Sequence, residues 1–298
     1  MMKRHGWKHD CFEPLTMDDY LDGCDSHLFP SENHGDASFT GVWQSSPLFL
    51  VWLEHNWSKI VEAATATTPP TSVPFSILEL GSGTGFLGIH LAYNLQQTLA
   101  GAACQESNPT HRYKVTLSDT PRSGAYFWTK ANLEKALRGQ EREQGDGDGG
   151  DEKKEAFDCG ERRTLAGISS QNLCVIPFDW ACQEQRRAVS TQMDDWDLVI
   201  GTDLIYSEEG CHYLVQAMAS LLNESPPSPS PAAATAAAAA GRRRKRRILY
   251  GHTSGRIEGL DQKFESDLSG RGLRWTVLER IPLPSWSERF TTIYDIQL

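Results

Sequence analysis

The sequence predicts an α/β fold: a seven-stranded, mostly parallel sheet with helices on both faces. Three observations predict it. Short apolar runs bounded by turn residues alternate with longer segments of helical spacing. The first such run, Ile77-Leu78-Glu79-Leu80, passes directly into Gly81-Ser82-Gly83-Thr84-Gly85 and then a helix-like stretch from Phe86. Glycines there let the backbone turn tightly and approach a ligand at the carboxyl end of a first strand, against a helix N-terminus. Finally, five strand candidates are followed by a closing pair near the C-terminus.

Taken in order, residues 1–40 are polar and lack periodicity, which predicts an irregular N-terminal arm, disordered in part. Ser45-Ser46-Pro47 reads as a helix start, with a hydroxyl cap and proline in the first turn, and Leu48, Val51, Trp52, Leu53 and Ile60 carry the helix to about Ala64. Thr67-Thr68-Pro69-Pro70 then breaks the chain before the first strand. Strands are expected at 75–80, 114–118, 173–178, 197–202 and 247–252, and helices at 84–98, 121–138 and 208–222. The closing strands are expected at 275–281 and 291–298, joined by a loop. Three segments read as flexible insertions, near 100–112, 139–163 and 223–247; the second is rich in Gly, Asp, Glu and Lys and can bury almost nothing. Residues 41–298 are therefore expected to form one domain.

Composition narrows the partners. The 298 residues carry a formal net charge of −10, which argues against nucleic acid as the general partner and favours a cationic one. The basic run at 242–247 reads as a solvated loop or as an import or anion-binding patch. Seven scattered cysteines without a C-x-x-C pair suit reduced thiols. No apolar segment is long enough for a signal peptide or a bilayer span, so a soluble protein of the cytoplasm, and of the nucleus as well, is expected, acting as a monomer. His5, His9 and Cys11 have loose metal-like spacing but lack a fourth ligand, so no metal site is expected.

Four acids stand at or near strand ends. Glu79 precedes the glycine turn. Asp119 ends the second strand, where a carboxylate can accept hydrogen bonds from ribose hydroxyls; the alternative is a turn acid before Pro121. Asp179 and Trp180 follow the third strand, suited to an adenine amine and an adenine face, or else to rim packing. Asp203 ends the fourth strand with Tyr206 three residues on. A carboxylate and a phenol at a crevice mouth can bind an amine's hydrogens and orient its lone pair. Asp203 as a helix N-cap with Tyr206 in the core is the alternative.

The pattern Glu79-x-Gly81-x-Gly83-x-Gly85 differs from the dinucleotide form G-x-G-x-x-G and resembles the S-adenosylmethionine loop of class I methyltransferases. Gly41-Val42-Trp43, the loop at 79–85, Phe178-Asp179-Trp180 and Asp203-Leu204-Ile205-Tyr206 together resemble, in order, the motifs of the seven-β-strand protein-lysine methyltransferases called methyltransferase family 16. That resemblance implies a Rossmann-like sheet with an antiparallel last strand. It implies S-adenosyl-L-methionine as cofactor, held by Trp43, Glu79, Gly81, Ser82, Gly83, Asp119, Asp179, Trp180 and Thr202; Thr202 stands where the family often has alanine. It implies a protein substrate whose lysine meets Asp203 and Tyr206. N-methylation of a small amine, a histidine or a nucleobase, and a non-catalytic cofactor-binding scaffold, are the competing readings. The Leu204-Ile205 pair argues against the base-methylating motif, in which two prolines occupy those positions. Trp286, in the expected loop between the closing strands, reads as a partner contact or a structural residue.

Overall fold

The computed structural model describes residues 6–15, 40–65, 74–103, 113–141, 172–192, 196–223, 246–284 and 286–298. The basic run at 242–247 lies mostly outside them, as do His5 and the Gly/Asp/Glu/Lys-rich segment from 142 to 163. The elements are α1 (Ser45–Thr65), β1 (Phe75–Leu80), α2 (Phe86–Ala103), β2 (Tyr113–Asp119), α3 (Ala125–Glu141), β3 (Leu173–Pro177) and α4 (Gln183–Gln192). They continue with β4 (Leu198–Thr202), α5 (Glu208–Asn223), β5 (Ile248–Thr253), α6 (Leu260–Gly270), β6 (Arg274–Leu283) and β7 (Trp286–Gln297).

All seven strands form one sheet in the order β3-β2-β1-β4-β5-β7-β6. β1 to β5 run parallel, while β7 is antiparallel to both β5 and β6. This is the seven-stranded, mostly parallel sheet that the sequence predicts, with the expected antiparallel last strand. β1 and β2 continue one way and β4 and β5 the other, so the strand order reverses between β1 and β4, where Leu80 faces Gly201 in register. A crevice at the carboxyl ends of such strands is where doubly wound sheets place ligands.

The central parallel strands are buried on both faces, and two apolar layers explain why. One layer packs α1, α2 and α3 residues such as Phe49, Leu53, Trp57, Leu91 and Leu133 on one face. The other packs Leu214, Met218, Leu222, Phe264 and Leu268 from α5 and α6 on the opposite face. α1 buries Phe49, Leu50, Leu53, Trp57 and Ile60, an apolar stripe at helical spacing, and this face rests on β4, β5 and β7. That docking holds the first turn of α1 over the end of β4.

Three details depart from the sequence expectation. The loop expected across Ile281 to Phe290 is largely strand: Ile281 pairs with Thr291 and Pro282 with Phe290, and β7 begins at Trp286. Pairing with β6 satisfies backbone groups that a loop would leave to water. Two helices, α4 and α6, are absent from the expectation. The hydroxyls of Ser45 and Ser46 do not cap α1; they hydrogen-bond to Asp203 Oδ2 at 2.7 Å and to Thr202 Oγ1 at 2.7 Å.

Within the N-terminal arm, residues 6–15 are irregular yet anchored. Backbone N–H groups of Trp7, Lys8 and Leu15 donate to the side chains of Glu54, Asn94 and Asn132. Cys11 and Phe12 are buried, and Phe12 meets His90 edge-on with centroids 6.2 Å apart. Phe12→Ala is expected to cost about 3 kcal/mol, which thermal denaturation should read as a Tm drop of roughly 6–12 °C. An unchanged Tm would mean that the arm adds nothing to the fold.

Candidate functional site

β1 delivers the glycine turn to the crevice. Ser118 ties the two strand ends together, its hydroxyl donating to Glu79 O at 2.6 Å while Ser82 N–H donates to Ser118 O at 3.0 Å. Gly81, Gly83 and Gly85 all have positive φ, so the turn uses left-handed backbone three times. Thr129 of α3 donates to Gly83 O at 2.7 Å and fixes the turn from the other side. A crevice of about 200 Å³ opens here, lined by this turn, the ends of β2 and β4, and Gly41, Trp43 and Ser46 at the start of α1.

Glu79, Gly81, Ser82, Gly83, Asp119, Trp180, Thr202, Asp203, Tyr206 and Trp43 all line this crevice. Ten of the eleven residues singled out from the sequence thus converge on one place. Asp179 does not line it. Its carboxylate forms an ion pair with Arg122 at 2.6 Å and accepts the Ala181 N–H at 2.9 Å, so it closes the turn after β3. Thr84 and Leu204, which belong to the quoted motifs, line the crevice too, as do Phe86, Leu87, Thr120, Ser123 and Arg256, which were not singled out. Phe86, Leu87, Thr120 and Ser123 stand within four residues of a named motif residue, whereas Arg256 has no signal in the sequence.

The acids differ in how they are held. Asp119 accepts the Gly83 N–H and the Thr120 N–H, each at 2.7 Å. Burial pushes its carboxyl up to about 6, against those two backbone hydrogen bonds. Glu79 accepts the Gly88 N–H at 3.1 Å, and burial pushes its carboxyl from 4.5 up to about 8. Gly88 is needed for this contact, because a Cβ there would lie 2.4 Å from Glu79 Oε2 and 2.1 Å from Leu117 Cδ2.

A carboxyl raised in the folded state binds its proton more tightly folded than unfolded. Its stabilisation is complete below the ordinary value and is lost as pH rises through the folded value. The ligand-free protein should therefore lose Tm between about pH 4.5 and 8, the interval that the Glu79 shift spans. Glu79→Gln should flatten that slope in thermal scans across pH. An identical slope in the variant would remove Glu79 as its source.

Asp203 is the one non-glycine with positive φ among the described residues, at 52°. Its backbone N–H still donates to Gly251 O of β5 at 2.9 Å, so the left-handed residue stands directly at the end of the β4–β5 ladder. Its carboxylate accepts from Ser45 Oγ at 2.7 Å, Thr253 Oγ1 at 2.9 Å and Thr253 N–H at 2.7 Å. Three elements, α1, β4 and β5, thus hold one buried carboxylate at the crevice wall. It is not the cap of α5, whose N-terminus is closed by Ser207: that hydroxyl accepts the Gly210 N–H and its carbonyl the Cys211 N–H. Tyr206 is 50% exposed at the mouth, outside the core.

The residues present fit S-adenosylmethionine. Gly81 is a cradle that a side chain would fill, since a Cβ there would lie 2.3 Å from Leu204 and 3.2 Å from the Trp180 ring. Asp119 supplies carboxylate oxygens and Trp180 and Trp43 supply aromatic surface along the same crevice.

Solved structures similar to the chain include SMU.776 complexed with SAH, at 13% identity over 87% of this chain and 50% of that one, TM-score 0.41. Magnesium protoporphyrin IX methyltransferase from Synechocystis PCC 6803 with bound SAM is 13% identical, with 94% of each chain covered and a TM-score of 0.41. TYW2 from M. jannaschii in complex with AdoMet is 12% identical over 81% of this chain and 74% of that one, TM-score 0.35. The chain spans half the length of the first of these. No curated protein matches the chain. Residues 24–140 match a family model described as lysine methyltransferase. That span contains Trp43, the glycine turn and Asp119, and ends before Trp180, Asp203 and Tyr206. Over residues 24–140 the chain is thus similar in sequence to the lysine methyltransferase family.

Proposed function

We propose that this chain transfers a methyl group from S-adenosylmethionine to the ε-amine of a lysine on a protein. The observation that carries the reading is Asp203: a buried carboxylate locked by Ser45 and Thr253 at the wall of the crevice that the glycine turn opens, with Tyr206 at its mouth. The family match supports lysine as the acceptor. The net charge of −10 favours a cationic substrate.

Bound S-adenosylmethionine would supply a methyl group on a positively charged sulfur. Asp119 would accept the ribose hydroxyls, Trp180 would offer a face to the adenine, and Gly81 to Gly83 would let the backbone approach closely. Glu79 acts indirectly: through the Gly88 N–H it ties the end of β1 to the first turn of α2.

A lysine is protonated in neutral water and has no lone pair to donate. It must give up its proton to solvent as it enters the crevice, and desolvation favours the neutral amine. Asp203 and the Tyr206 hydroxyl would then accept the remaining amine hydrogens and aim the lone pair. Alignment matters more here than acid strength, since fixing the reacting atoms about 3 Å apart and in line removes most of the entropic barrier. A carboxylate fixed by three hydrogen bonds is suited to that, because it needs no reorganisation as positive charge builds on nitrogen.

Incubation with labelled S-adenosylmethionine and a cell lysate should label one or a few protein bands, with the label on lysine after hydrolysis. Label confined to RNA or small molecules would overturn the lysine reading. Binding of the cofactor with no transfer to any fraction would leave a scaffold in place of an enzyme.

A further inference from the structure

We infer that Arg256 is the residue that grips the amino-acid carboxylate of the cofactor, an inference that rests on the methyltransferase reading above. β5 ends at Thr253, and the turn that follows is pinned on both sides. Ser254 N–H donates to Phe290 O at 2.9 Å, and Ser254 Oγ shares a 2.7 Å hydrogen bond with Thr292 Oγ1. Gly255, at φ 72°, donates its N–H to Asp261 Oδ2 at 2.9 Å, and Asp261 is held in turn by His252 Nε2 at 2.8 Å. From this fixed turn the Arg256 guanidinium lies 4.1 Å from the centroid of the Trp43 ring, and both residues line the crevice.

Among the described lining residues, Arg256 carries the one formal positive charge, facing three acids, Glu79, Asp119 and Asp203. None of those acids pairs with it. Each is engaged elsewhere: Glu79 by Gly88, Asp119 by Gly83 and Thr120, and Asp203 by Ser45 and Thr253. Stacking on an indole satisfies the face of a guanidinium and leaves its edge of N–H donors available. A planar fork of donors matches a carboxylate, which it binds with two parallel hydrogen bonds. The cofactor carries a single carboxylate, on its methionine end.

The sheet order supports the assignment. Trp180 follows β3 and Asp119 ends β2, whereas Arg256 follows β5, on the far side of β1 and β4. A nucleoside seated at Trp180 and Asp119 leaves its amino-acid end to extend toward β4 and β5. The acidic residues already lining the crevice offer nothing to a carboxylate there.

Calorimetry on the full chain separates this role from general damage. S-adenosylhomocysteine and 5′-methylthioadenosine share a nucleoside and a sulfur, and only the first has the carboxylate. Arg256→Ala should weaken S-adenosylhomocysteine by about 10- to 100-fold, leave methylthioadenosine within about twofold, and leave Tm unchanged. Arg256→Lys should recover part of the loss, having the charge without the fork. Equal losses for both ligands, or no loss for either, would overturn the assignment while leaving the methyltransferase reading intact. If the wild-type chain binds neither ligand, the assignment falls together with the reading beneath it.

Discussion

Asp203→Asn should lower methyl transfer by about 10²- to 10⁴-fold, the usual contribution of a positioned acid–base group, while S-adenosylhomocysteine binding and Tm stay near those of wild type. The asparagine is chosen because the site can accommodate it. Its amide oxygen can accept the Thr253 N–H that Oδ1 accepts now, at 2.7 Å. Its NH₂ then faces the hydroxyls of Ser45 and Thr253, which rotate and accept in place of donating. Asparagine also tolerates the left-handed backbone at φ 52°, which alanine would adopt only at a cost. The substitution therefore removes a charge and leaves the clamp. Transfer to the same lysate bands at the wild-type rate would exclude Asp203 from the chemistry. Loss of transfer together with loss of cofactor binding would make it a structural residue of the crevice wall.

Gly81→Ala should abolish cofactor binding at concentrations that saturate the wild type, and lower Tm as well. Two costs add. Left-handed backbone at φ 57° costs an alanine about 1–2 kcal/mol. The new methyl would stand 2.3 Å from Leu204 Cδ2, with the Trp180 ring 3.2 Å away behind it. Overpacking of this kind costs about 1–3 kcal/mol, and at this chain length each kcal/mol lowers Tm by roughly 2–4 °C. Leu204 is buried and adjoins Asp203, and its N–H donates to the Tyr250 hydroxyl at 2.9 Å. Pushing it aside therefore disturbs the acid as well as the cradle. Calorimetry with S-adenosylhomocysteine and a thermal scan of the same sample read both effects. Wild-type affinity would mean that the turn has room that its glycine does not need.

The elements most legible in the sequence are those with one strong local signal. β4 and the first half of β5 are continuous apolar runs and β1 is nearly one, because both faces of a central parallel strand are buried. β2 instead alternates, Val115 and Leu117 standing between Lys114, Thr116 and Ser118. α5 announces itself by an apolar stripe from Cys211 to Leu222. α6 carries a similar signal in Leu260, Phe264 and Leu268, at i, i+4 and i+8, in a helix of only 11 residues. α4 has almost none: its sequence, QEQRRAVSTQ, buries only Val189 and Ser190 among its described side chains, so no period marks it. The strand at 286–290 was hidden for a different reason, since pairing with β6 is a long-range property that a five-residue window does not contain.

The site divides in the same way. Sequence alone determined the sheet class, the glycine turn and the carboxylates that end β1, β2 and β4, because glycine spacing and strand-terminal acids are local and follow from backbone geometry. Only the tertiary structure decided what each side chain does with its hydrogen bonds. It turned the Ser45 and Ser46 hydroxyls from helix caps into partners of Asp203 and Thr202, and gave Asp179 to Arg122 and the turn after β3. It also brought Arg256 against Trp43 across more than two hundred residues of chain. Those pairings depend on which strands lie side by side. That is fixed by burial of the whole core, and no stretch of sequence encodes it by itself.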